Sequence, residues 1–123
     1  MEQEYIKGDI VMYDNKIHTI MDTLGVNNYE LSYIGYPVNQ LELSGVPITP
    51  EILEKNGWEK DEEASFKTQL YYRKKVGVRT IFVIIKEETS RVIYDSTCLR
   101  IIQYYHELQH LLFGLGLNSE MEV

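Results

Sequence analysis

The chain has 123 residues, of which 44% are hydrophobic and 25% are charged, a balance typical of a folded globular protein rather than a disordered one. Its formal net charge of −7 disfavours nonspecific binding to nucleic acid, which requires clustered Lys and Arg side chains. No apolar run has the length of a membrane helix, the first residues lack the features of a secretory signal, and the single Cys98 cannot form an intramolecular disulfide. We therefore expect one cytoplasmic domain over residues 1–123, with an N-terminal β lobe at 1–46 and the remaining elements at 47–123.

The first 46 residues predict a small, bent antiparallel sheet. Alternating or apolar segments at 9–13 and 16–21 flank Asp14-Asn15, a pair suited to a tight hairpin turn. Residues 29–34 alternate again, and residues 38–43 can supply a fourth strand. Several short strands with Gly-bearing turns are typical of a barrel-like sheet.

A short helix is predicted next, over about residues 50–56. Thr49 is a natural N-cap, Pro50 suits the first helical position, and Asn56-Gly57 suits the end of a helix. The acidic run at 59–63 that follows is most simply a solvated loop.

Residues 64–95 predict a second group of antiparallel strands. Residues 66–73 alternate, residues 78–85 are apolar on both faces as in a central strand, and residues 91–94 return after a turn at 87–90. A final helix is expected from about residue 96 or 97 to Phe113, since Ile101, Tyr105, Leu108 and Leu112 recur at helical spacing, and we expect it to pack on this second β group. The predicted fold class is therefore α+β.

Residues 106–110 read His-Glu-Leu-Gln-His and match the H-E-x-x-H pattern of zinc hydrolases. On a helix, His106 and His110 share one face and can reach one metal, with Glu107 beside them as a general base. A catalytic zinc also needs a third protein ligand, and the extended pattern would require Gly and His where this chain has Phe113 and Gly116. The competing interpretation makes His106 a partly buried structural residue that bonds to the sheet.

A cationic turn is the second candidate site. Arg73, Lys74, Lys75 and Arg79 surround Gly77, and Tyr71 and Tyr72 precede them. Several cations at a Gly-bearing turn can hold a phosphate or an acidic partner, and the tyrosines can stack on a nucleobase. The alternative is a hairpin tip that charge keeps soluble.

Three stretches recur together in one known group of proteins: Ile-Lys-Gly-Asp-Ile-Val at 6–11, the segment from Pro47 to Trp58, and the segment from Tyr104 to Phe113. In this the chain resembles a family of short proteins encoded by prophages and mobile elements of gut bacteria, over most of its length. The last helix of that family usually has Gln and Asn where this chain has Glu107 and His110. The resemblance therefore implies a helix that is not built around a metal, and a location in the bacterial host cell.

Together these observations favour a non-enzymatic binding or interaction protein of phage or mobile-element origin that acts on host machinery. Its expected partner is a protein or a small anionic ligand, without a membrane, and self-association is compatible with the composition. One alternative is a protein that sequesters a small nucleotide signal through Arg73, Lys74, Lys75, Arg79, Tyr71 and Tyr72. The other is a minimal zinc hydrolase that uses His106, Glu107 and His110; otherwise no cofactor is expected.

Overall fold

The structure is a computed structural model that describes residues 4–63, 65–66 and 69–122. Within those residues the chain forms two five-stranded antiparallel sheets and two α-helices, which confirms the predicted α+β class. In chain order the elements are β1 (Ile10–Tyr13), β2 (Lys16–Thr23), β3 (Asn28–Leu31), β4 (Val38–Asn39), a 3-10 turn (Gln40–Glu42), β5 (Ser44–Gly45), α1 (Pro50–Lys55), β6 (Glu59–Lys60), β7 (Leu70–Val76), β8 (Arg79–Lys86), β9 (Thr89–Tyr94), β10 (Thr97–Ile102) and α2 (Tyr105–Gly114). No helix among the described residues combines the length and the apolar character needed to cross a membrane.

The chain divides into two compact units. The described part of the first unit is residues 4–46 and 104–121, and that of the second is residues 47–63, 65–66, 69–103 and 122. The division at residue 46 coincides with the end of the predicted N-terminal β lobe, whereas the C-terminal helix falls in the first unit rather than with residues 47–103.

The first unit is a curled sheet of strand order β4-β3-β2-β1-β5. The predicted hairpin turn is present, because Asp14 and Asn15 both have positive φ angles (50° and 62°), as a type I′ turn requires. A register shift between Ile20 and Asp22 interrupts the pairing of β2 with β3, an irregularity of the kind that increases the curvature of a sheet. The concave core is built from residues that are nearly or fully buried: Tyr5, Val11, Ile20, Tyr29, Leu31 and Val38.

Helix α2 completes the first unit. Tyr105, Leu108 and Leu112 lie on its buried side, and the helix contacts β1. At the entry to the helix the backbone of Gly45 lies against the ring of Tyr104, so closely that a Cβ atom at position 45 would overlap that ring. The expectation that this helix packs on the second β group is therefore corrected: its apolar stripe belongs to the first unit.

The second unit has the strand order β10-β9-β8-β7-β6, with β8 at its centre as predicted. Tyr72, Val83 and Val92 pair across three strands and are all buried, so they share the core face of this sheet. Helix α1 begins at Pro50 with Thr49 in the N-cap position, and Leu53 and Trp58 bury the apolar side of this segment.

Three of the predicted element boundaries are wrong. Residues 97–102 form strand β10, which pairs with β9, and the helix begins only at Tyr105. The acidic run at 59–63 is not only loop, because its first two residues form β6 at the edge of the second sheet. The predicted strand at 66–73 begins at Leu70; residues 67 and 68, which it included, lie outside the described part of the chain.

Candidate functional site

Glu107 caps the helix that carries the H-E-x-x-H pattern. Tyr104 is the N-cap residue, and its backbone N–H donates to the Glu107 carboxylate over 3.0 Å. A carboxylate at the third helical position satisfies a backbone donor and complements the positive end of the helix. The residue that the zinc hypothesis assigns as a general base therefore contributes to helix formation.

His106 is packed among aromatic rings in the first unit. It is 5% exposed, its ring meets the ring of Tyr5 edge-on at 4.9 Å between centroids, and it stacks on Tyr104 at 5.8 Å. Its Nε2 atom lies 3.8 Å from a carboxylate oxygen of Glu4. This is the environment of a buried histidine with one polar edge.

His110 bonds to a buried carboxylate. Its Nε2 atom is 2.6 Å from Oδ2 of Asp9, a side chain that is only 2% exposed and that also accepts from the backbone N–H of Ile6. Burial raises the pKa of Asp9 above its ordinary value of 3.8, whereas the hydrogen bonds from Ile6 and His110 oppose that rise. Asp9 supplies a carboxylate beside His110. Among the described residues, however, no three His, Cys, Asp or Glu side chains are placed to hold a metal ion.

Gln109 has a structural role that the sequence pattern does not predict. Its Oε1 atom accepts from the backbone N–H of Ile10 at 2.9 Å, and its Nε2 atom donates to the carbonyls of Gly8 (2.8 Å) and Ser119 (3.0 Å). One buried amide thus joins α2 to the start of β1 and to the segment after the helix. All four polar positions of His-Glu-Leu-Gln-His are engaged in the first unit.

The cations of the predicted basic turn do not converge on one point. Arg73 lies within ion-pair distance of Asp61 (3.4 Å) and Glu59 (3.9 Å), and Lys74 donates to the Asn56 carbonyl at 3.1 Å. Arg79 pairs with Asp95 and lies over the ring of Tyr94. Gly77, at a φ of 63°, closes the β7–β8 hairpin. Arg73, Lys74 and Arg79 therefore have separate partners within the second unit.

The two predicted tyrosines separate because successive residues of a strand point to opposite faces. Tyr72 is buried and donates to the Glu54 carboxylate at 2.8 Å, and burial and this bond raise the pKa of Tyr72. Tyr71 is half-buried on the other face, which it shares with Arg73 and Lys75. Only this second face of the sheet is open to a ligand.

A shallow groove lies on the open face of the second sheet. Its floor is a row of side chains that pair directly across four strands: Tyr71, Ile84, Arg91 and Ile101. Gln69, Lys86 and Thr89 line the same space, which has a volume of about 210 Å³. We call these seven residues the sheet groove.

The sheet groove combines cations with aromatic and apolar surface. Lys86 and Arg91 are exposed, and neither has an ion-pair or side-chain hydrogen-bond partner within the part of the chain that the structure describes. Tyr71 contributes a half-buried ring at one end of the row, and Ile101 is 58% exposed at the other end. Of the sequence-predicted residues only Tyr71 lines this groove. The sequence signal for the groove is the alternation of Thr89, Arg91 and Ile93 along β9, which places these three side chains on one face of the sheet.

No protein-family model, curated protein or solved structure matches this chain. The resemblance to prophage-encoded proteins therefore stays a prediction. Function has to be inferred from the chemistry of the chain's own side chains.

Proposed function

We propose that the protein is a non-enzymatic binding protein, and that its sheet groove holds a small anion that carries a planar ring, as a nucleotide does. The observation that carries this proposal is that Lys86 and Arg91, two cations without a partner among the described residues, line the same groove as Tyr71. Arginine presents a planar set of donors to phosphate, and a tyrosine ring offers a stacking surface to a base.

The size of the groove indicates how a ligand would sit. Its volume of about 210 Å³ is below the range of about 300–1,000 Å³ that encloses drug-sized ligands. A nucleotide would therefore bury one part of its structure and leave the rest in water. This geometry suits reversible capture better than catalysis, which needs the reacting atoms to be shielded and held in a fixed orientation.

The proposal joins two of the sequence-based hypotheses. A protein that captures a nucleotide signal needs no catalytic set, and the residues of the zinc pattern have structural partners in the first unit. If the prophage resemblance holds, capture of a host signalling nucleotide would be a way to act on host machinery.

Isothermal titration calorimetry with nucleoside monophosphates and with cyclic mono- and dinucleotides tests the proposal. We expect saturable binding of at least one of them, and we expect Arg91→Gln and Lys86→Gln each to weaken it by about tenfold, since a hydrogen bond to a charged group contributes about 1.5–3 kcal/mol. Lys75→Gln is the matched control, because Lys75 is exposed on the same sheet face but outside the groove. Binding that is equally sensitive to all three substitutions would reject the groove, and no binding by any nucleotide would reject the ligand class.

A further inference from the structure

A second groove lies in the first unit, beside the β1–β2 hairpin. It has a volume of about 330 Å³ and is lined by Tyr13, Asp14, Lys16, His18, Tyr33 and Tyr36, with Ile17 and Ile34 between them. We call it the tyrosine groove. Three of the ten tyrosines of the chain meet there, and Tyr and Trp side chains are enriched in the parts of interfaces that contribute most binding energy.

Tyr33 contributes no buried surface to the first unit and has an unfavourable backbone conformation. It is fully exposed, so its ring buries no surface, and its backbone has a φ of 63°, a region that glycine usually occupies. It is the third residue of a turn closed by the Ile34 N–H and the Leu31 carbonyl (3.3 Å). A strained and fully exposed aromatic residue points to a role outside the fold.

The other two tyrosines form the wall behind it. The hydroxyls of Tyr13 and Tyr36 are 3.2 Å apart, Tyr36 is 57% exposed, and Tyr13 packs in part against the core of the first unit. The rings of His18 and Tyr13 make an edge-to-face contact with 5.9 Å between their centroids. His18 is fixed in turn by a 2.8 Å hydrogen bond between its Nδ1 atom and the carbonyl of Ser32. The Tyr13 and Tyr36 side of the groove is therefore preorganised, which lowers the entropic cost of binding.

The groove lies in the unit that carries the net negative charge of the chain. Asp14 lines it, and Asp14 and Glu42 are close enough to add to the rise in the pKa of Tyr13, which reaches about 12 mainly because of the hydrogen bond to Tyr36. Lys16 is the cation in its lining. The wider charge distribution agrees: the sequence of the first unit has nine carboxylates against two lysines, whereas that of the second has ten acidic and ten basic residues. The whole net charge of −7 thus belongs to the first unit.

We propose that the tyrosine groove docks a basic segment of a protein partner, with an Arg or Lys side chain lying against Tyr33 and Tyr36. A cation over a tyrosine face is attracted by the ring, and a guanidinium also stacks on it. The acidic unit raises the local concentration of a basic partner and repels nucleic acid and acidic proteins. This interaction is separate from the anionic ligand proposed for the sheet groove and does not depend on it.

An NMR titration with the peptide acetyl-Gly-Arg-Gly-Arg-Gly-amide tests the proposal, with the same peptide carrying Glu for Arg as the ligand control. We expect saturable shifts at Tyr13, Tyr33 and Tyr36 with the Arg peptide alone. Tyr33→Gly and Asp14→Asn should weaken binding by about fivefold each, the scale of one exposed cation–π or charge contact. Both variants suit the left-handed backbone at their positions, so the fold is retained.

Glu30→Gln is the matched control, since Glu30 is an exposed carboxylate of the same unit outside the groove; its effect should stay below about twofold. Four titration results would overturn the proposal. They are no binding at millimolar peptide, equal binding of the Glu peptide, equal binding of tetramethylammonium, and equal loss of affinity in Glu30→Gln and Asp14→Asn. Self-association of the protein that Tyr33→Gly abolishes, without peptide binding, would assign the groove to a second copy and also overturn it.

Discussion

The amide of Gln109 connects three segments of the first unit. Its partners are the Ile10 N–H and the carbonyls of Gly8 and Ser119, and the side chain is 2% exposed. A buried donor or acceptor that loses its partner costs about 1–3 kcal/mol. Gln109→Leu should therefore lower the free energy of unfolding by about 3 kcal/mol in urea titrations.

Phe113→Ala is the control for this prediction, because Phe113 lies on the same helix and is 66% exposed. We expect it to change stability by less than about 0.5 kcal/mol. A Gln109→Leu protein as stable as this control would mean that the amide is not the link between helix and strand.

The buried carboxyl group of Asp9 makes the free energy of unfolding depend on pH. Burial, the largest effect, raises its pKa in the folded state, so the folded protein holds this proton more tightly than the unfolded chain does. The corresponding stabilisation is complete below the ordinary value of 3.8 and is lost as the pH rises through the higher folded value. As the pH rises from 3.8 through the higher folded-state pKa of Asp9, the free energy of unfolding of the wild-type protein should therefore fall relative to that of Asp9→Asn, in which residue 9 cannot ionise.

Urea unfolding of both proteins between about pH 3 and pH 7 measures this difference. A wild-type protein that instead gains stability over the variant with rising pH would show that the bonds from Ile6 and His110 outweigh burial. The pKa of Asp9 would then be lowered, not raised.

Strand β10 shows how pairing overrides local periodicity. The spacing of Ile101, Tyr105 and Leu108 fits a helix, but only Tyr105 and Leu108 belong to one. Asp95 and Ser96 have positive φ angles (53° and 65°) and turn the chain back, so that Thr97–Ile102 pairs with β9. The pair Asp-Ser is a weaker turn signal than Asp-Gly or Asn-Gly, so the local sequence does not predict this hairpin.

Ser96→Gly should stabilise the second unit by about 0.5 kcal/mol. Glycine adopts the left-handed backbone without strain, and the strain energy removed is larger than the entropic cost of a more flexible unfolded chain. Gly77→Ala, at a positive φ in the β7–β8 turn, should do the reverse and cost about 1 kcal/mol. Urea unfolding measures both. A destabilised Ser96→Gly protein would contradict the β9–β10 turn.

At the scale of the whole molecule, short sequence patterns predict the secondary-structure elements better than they predict the candidate ligand site. The Asp14-Asn15 hairpin, the helix that begins at Pro50 and the central strand β8 each follow from a few adjacent residues, and all are present, although Thr49 makes no side-chain cap hydrogen bond. The sheet groove depends on the register of four strands, which brings Tyr71, Arg91 and Ile101 into one row. Because register is a long-range property, a short motif does not reveal it. The His-Glu-Leu-Gln-His motif lies on a helix, as its spacing predicts, and its use as a zinc site stays a prediction.

The central claim is that the open face of the second sheet binds a planar anion. An NMR titration with adenosine monophosphate, and with adenosine as the uncharged comparison, tests it most directly. We predict saturable shifts at Tyr71, Ile84, Arg91 and Ile101 with the monophosphate, and an affinity at least about tenfold lower for adenosine because Lys86 and Arg91 then lack their anion. Equal affinity for both compounds, or shifts confined to residues outside the sheet groove, would contradict the claim.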